Sequence, residues 1–92
     1  MDSDLHQLKN LGATSVNWLR AVGIHSREEL ERIGPVAAYN RVRSRGIRVS
    51  KVLLYALQGA LLGVHWNELE PQRKQELLTQ AEAERMLASD HL

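Results

Sequence analysis

The sequence predicts an all-α protein, a compact bundle of about five to six short helices built on tandem helix-hairpin-helix-like repeats. The first observation behind this is a phrase that occurs twice. Leu8-Lys9-Asn10-Leu11-Gly12 opens one segment and Leu30-Glu31-Arg32-Ile33-Gly34 another, and each runs about a helix length to a Gly-Ile pair, Gly23-Ile24 and Gly46-Ile47. An apolar residue, two spacers, an apolar residue and a glycine, followed by a helix, read as helix, tight turn, helix. The second observation is apolar residues at helical spacing, with no strand-like alternation. The third is the placement of serine, proline and glycine at segment boundaries, where helices start and stop.

Each element has a local reason. Asp2 or Ser3 is positioned to cap a short first helix over about residues 4–9, and Asn10-Leu11-Gly12 then turns the chain. A second helix is expected from Ala13 to Val22, with Val16, Leu19 and Val22 on one face and Gly23 as its left-handed stop. Ser26-Arg27-Glu28-Glu29 reads as a capping box opening a helix to about Ile33. Pro35 suits the first position of the next helix, because its missing N–H would have been unpaired there, and Gly46 ends it after about Arg45. Ser50 caps a helix over about residues 51–62 that is apolar on almost every side, so it belongs in the interior. Its small residues Ala56, Gly59, Ala60 and Gly63 admit close neighbours. Val64 to Asn67 leaves that helix, and Pro71 starts a last one to about Ala88 with a thin apolar face, Leu77, Leu78 and Ala81. Its final residues are expected to be loose or to use a partner.

Ninety-two residues make one small domain, expected to span residues 1–92, with hairpin repeats at about 5–24 and 27–47. Phenylalanine is absent and tryptophan and tyrosine number two each, so the core must be mostly Leu, Val, Ile and Ala. A chain this short buries a modest fraction of its surface, which leaves a homo-oligomer or a larger parent protein open. The absence of cysteine excludes disulfides and thiolate metal sites. Met1-Asp2-Ser3-Asp4 is acidic with no apolar core, and the run Val52 to Val64 is too short to cross a bilayer, so a soluble, cytoplasmic protein with no membrane partner is expected.

Net charge is +1, but the distribution is uneven. Six cations (Arg32, Arg41, Arg43, Arg45, Arg48, Lys51) and no acid lie between Arg32 and Asn67, while both ends are net acidic. Arg41 and Arg45 lie four apart on one helix face and repel, so a counter-charge must come from elsewhere. A phosphate backbone would suit Arg41, Arg45, Arg48 and Lys51. The competing reading is a solvated face, or pairing with Glu28, Glu29 and Glu31. No aromatic residues interleave the arginines, which argues against base stacking.

The elbows are the second candidate. Amides just after Gly12 and Gly34 could hold a phosphate at a helix start. Both turns depart from a Gly-hydrophobic-Gly pattern: Asn10 tolerates a left-handed backbone, Arg32 does so poorly, and Thr14 and Val36 stand where DNA-binding versions often carry a lysine. The competing reading makes each a structural elbow. Trp66 reads as a core plug, Asn67 as a turn-former and His25 as structural. The four histidines show no metal-ligand spacing, and no nucleophile, base and stabiliser occur together. A non-enzymatic protein without cofactor or metal is expected.

The ordered set Leu8-Lys9-Asn10-Leu11-Gly12, Trp18-Leu19, Gly23-Ile24, Glu29-Leu30, Ile33-Gly34, Ala37-Ala38-Tyr39, Leu53-Leu54-Tyr55-Ala56-Leu57, Gly59-Ala60 and Gly63 through Leu69 resembles the C-terminal domain of TfoX (Sxy), the bacterial regulator of natural transformation. The resemblance covers about residues 5–80. It implies a small helical domain related to helix-hairpin-helix modules, acting in transcriptional control of competence, in contact with DNA backbone and without catalytic residues. The alternative it leaves is a protein-interaction module that docks a transcription component or a separately encoded N-terminal domain. In that family the domain often follows an N-terminal domain; here it is expected to stand alone.

Overall fold

The computed structural model describes residues 4–89, and among them every regular element is helical. Five α-helices follow one another: α1 (Ala13–Ala21), α2 (Arg27–Ile33), α3 (Pro35–Ser44), α4 (Lys51–Leu62) and α5 (Pro71–Ser89). Two short 3-10 turns, Asp4–Gln7 and Trp66–Glu68, precede α1 and α5. The opening element is a 3-10 turn over Asp4–Gln7, shorter than the helix expected over about residues 4–9. It buries one large side chain, Leu5, and three residues later the chain must already turn at Asn10. The caps proposed at Asp2 and Ser3 lie outside the described residues, as do residues 90–92.

The helix ends follow from local chemistry. Gly23 (φ +86°) ends α1, with Ile24 N–H bonded to the Leu19 carbonyl at 2.9 Å and Gly23 N–H to Arg20 at 3.1 Å. These two bonds form the Schellman arrangement, and the following Ile24 is wholly buried. Gly63 ends α4 the same way, Val64 N–H reaching the Gly59 carbonyl at 2.9 Å. At α2 the Ser26 hydroxyl accepts from Glu29 N–H at 3.1 Å, as expected. The Glu29 carboxylate, however, accepts from His25 N–H (2.8 Å), one residue before the cap, so the reciprocal half of the box is shifted. A second capping box, not foreseen, closes the turn Trp66–Glu68: His65 is its cap, and Glu68 accepts from His65 N–H at 3.0 Å.

α3 packs against all four other helices. α4 is the most thoroughly buried, hiding Leu53, Leu54, Tyr55, Ala56, Leu57, Gly59 and Ala60. Leu5, Val16, Leu19, Ile24, Leu30, Val42 and Leu77 complete the aliphatic interior. Trp66 is a half-buried lid rather than a plug, stacked on Tyr55 (centroids 6.2 Å apart) with Lys74 Nζ 5.2 Å from its own centroid. α5 is anchored by Leu77 and Ala81; residues 82–87 are exposed, Met86 and Leu87 by 67% and 63%.

Candidate functional site

α3 and α5 pack side by side. Asn40 holds them together, its Nδ2 donating to the Ala81 carbonyl at 3.0 Å. Beside it, α3 from Ala37 to Ser44, the loop Gly46–Val49 and Glu84 and Arg85 of α5 line an open groove of about 840 Å³. Ala37, Ile47 and Val49 give it a half-buried apolar floor. Arg41, Arg43, Arg48 and Arg85 line it, with Glu84 the one carboxylate in the lining among the described residues.

The arginines differ in how they are held. Arg43 is fixed: its guanidinium lies 4.5 Å from the Tyr39 ring centroid, donates to Asn40 Oδ1 at 2.6 Å and pairs with Glu82 at 3.4 Å. Its Nε is buried without a hydrogen-bond acceptor among the described residues. Arg41 and Arg48 are exposed and form no ion pair among the described residues, and the same holds for Lys51 on the first turn of α4. None of the three pairs with Glu28, Glu29 or Glu31 there; Glu31 faces Arg27 at 3.9 Å.

Arg45 stands apart. Its Nη1 donates to the Ala21 carbonyl at 3.0 Å, across 24 residues of sequence, and so caps the end of α1. A cation there meets the partial negative charge of a helix C-terminus, roughly half a unit. Gly12 and Gly34 are further still. Gly34 caps the start of α3 and Arg45 its end, so the two are separated by the helix length of ten residues, about 15 Å. Gly12 likewise starts α1, whose far end is the one Arg45 holds. The structure therefore gathers Arg41 and Arg48 at one groove, puts Lys51 a short loop away on α4, assigns Arg45 a structural bond, and leaves Gly12 and Gly34 at the opposite ends of their helices. Sequence reasoning missed the floor residues Ile47 and Val49 and the wall residues Glu84 and Arg85. The one local signal was apolar residues interleaved with arginines at Gly46-Ile47-Arg48-Val49.

The TfoX C-terminal domain model matches residues 1–81. The chain belongs to the TfoX C-terminal domain family. That family is non-catalytic. Two crystal structures from Listeria monocytogenes share the fold. One, an uncharacterized protein in a triclinic form, is 31% identical with a TM-score of 0.79, over 88% of this chain and 92% of that one. The other, a protein of unknown function in a tetragonal form, is 32% identical with a TM-score of 0.79, over 86% of this chain and 98% of that one. No functionally curated protein matches. The TfoX match ends at residue 81, so Glu84 and Arg85 furnish a groove wall from outside it. No described helix is long and apolar enough to cross a membrane.

Proposed function

We propose that this TfoX-type domain is a non-enzymatic regulatory module in the control of natural competence, working in the cytoplasm by docking a segment of a protein partner in the α3–α5 groove. A transcription component or a separately encoded N-terminal domain would supply that segment. The groove itself carries the reading: an apolar floor beside exposed arginines is a surface that contact with another chain would desolvate. The test is genetic. In the organism of origin, deleting the gene should lower transformation frequency, and Arg41→Glu with Arg48→Glu should reproduce that loss while the protein accumulates and melts normally. Unchanged transformation in the deletion strain would remove the link to competence; unchanged transformation in the double variant alone would remove the groove.

A second reading, contact with DNA backbone, is supported by the exposed and unpaired Arg41, Arg48 and Lys51. It predicts binding of duplex DNA that weakens with salt, with a log–log slope that flattens by roughly one for each of the three cations removed. Arg45 would contribute less, since its guanidinium already holds Ala21, and the amides after Gly12 and Gly34 would meet a different part of the duplex. Absence of binding at low salt would end this reading.

A further inference from the structure

The lining of the groove indicates the chemistry of what docks there. Resting on the docking reading above, we propose that it takes an acidic amphipathic segment of a protein partner, with aliphatic side chains on Ala37, Ile47 and Val49 and carboxylates on the arginine rim. Charge is the first argument. Four arginines line the groove, and among the described residues its lining holds one carboxylate, Glu84, while Glu82 pairs with Arg43. Arg41 and Arg48 are exposed and unpaired among the described residues, so each offers its guanidinium fork to a carboxylate, whose geometry it matches in bidentate fashion. A carboxylate on this rim would offset its positive charge.

Preorganisation is the second argument. Arg43 is locked between Tyr39, Asn40 and Glu82, so its position costs no ordering when a partner arrives. The groove keeps that fixed cation beside a floor that is already formed.

The floor is the third argument, and it separates a protein segment from nucleic acid. Aliphatic side chains would cover Ile47 and Val49 and be covered by them, whereas a duplex backbone presents little apolar surface. No aromatic side chain lines the groove to stack an unpaired base. Apolar anchors at helical spacing with carboxylates between them meet both requirements at once.

The test uses fluorescence anisotropy with three labelled synthetic peptides. They share one leucine stripe at helical spacing and carry glutamate, glutamine or lysine at the remaining positions. The glutamate peptide should bind roughly tenfold or more tightly than the other two. Arg41→Glu with Arg48→Glu should abolish that preference, while Arg32→Glu, beside the far elbow, should leave it intact. Val49→Asn should weaken the glutamate peptide without restoring the lysine one. Thermal melts would show that each variant is folded. Glutamine or lysine peptides binding as well as the glutamate one would overturn the acidic partner and leave the docking reading standing. No peptide binding at all would overturn both. Duplex DNA that binds more tightly than the glutamate peptide and displaces it would assign the rim to nucleic acid instead.

Discussion

The two elbows start from nearly the same phrase and turn the chain by different means. In the first, Asn10 takes the left-handed backbone (φ +74°) and Gly12 is extended (φ −94°). In the second, Arg32 stays helical and Gly34 takes the positive φ (+91°), the single residue between α2 and α3 and the cap of both. The difference lies in tertiary structure. Asn10 Nδ2 donates to the Val64 carbonyl at 3.0 Å and toward Ala56 at 3.3 Å, and its Oδ1 accepts from Trp66 N–H at 3.2 Å. It closes the end of α4 from 46 to 56 residues away in sequence. Gly59 belongs to the same joint: a Cβ built there would stand 2.6 Å from Asn10 Nδ2 and 2.7 Å from the Val64 carbonyl oxygen. A repeated phrase therefore does not mean a repeated function. One elbow is a keystone of the bundle and the other a bare corner.

The comparison can be broken at its strongest point by Asn10→Ala. That change removes the three bonds and leaves a Cβ-bearing residue in the left-handed region, so a loss of about 3 kcal/mol is expected in urea unfolding. Asn10→Gly, which keeps the backbone freedom, should lose less. Gly34→Ala comes next. Its combination of φ +91° and ψ 155° is one that essentially only glycine occupies, so about 2 kcal/mol is expected from backbone strain although nothing crowds the Cβ. Arg45→Ala should cost about 0.5–1 kcal/mol, the worth of a cation at a helix C-terminus. Gly12→Ala should be smallest, within about 0.5 kcal/mol, because its backbone is ordinary and its Cβ meets open space. Equal costs for Gly12→Ala and Gly34→Ala would erase the distinction between the elbows.

What the sequence disclosed follows the same division. Helix boundaries set by neighbours in the chain were legible: Pro35 opens α3, Ser26 and Ser50 cap α2 and α4, and Gly23 and Gly46 follow α1 and α3 with positive φ. What depended on distant partners was not. Nothing local ties Asn10 to Trp66, Arg45 to Ala21 or Arg43 to Glu82, and those contacts decide which side chains are structural. The basic stretch was visible as composition, yet its arginines are divided among a helix cap, a fixed anchor and an open rim. The groove needed α5 laid against α3 before it existed, and two of its lining residues, Glu84 and Arg85, come from 35 or more positions past Val49.

The most direct test of the docking account is an amide NMR titration of the whole chain with the glutamate peptide. The account predicts that the signals of Arg41 to Val49 and of Glu84 and Arg85 move together and saturate, while those of Ala13, Thr14 and Val36 beside the elbows stay in place. Shifts concentrated at the elbow amides, with the groove unmoved, would contradict it.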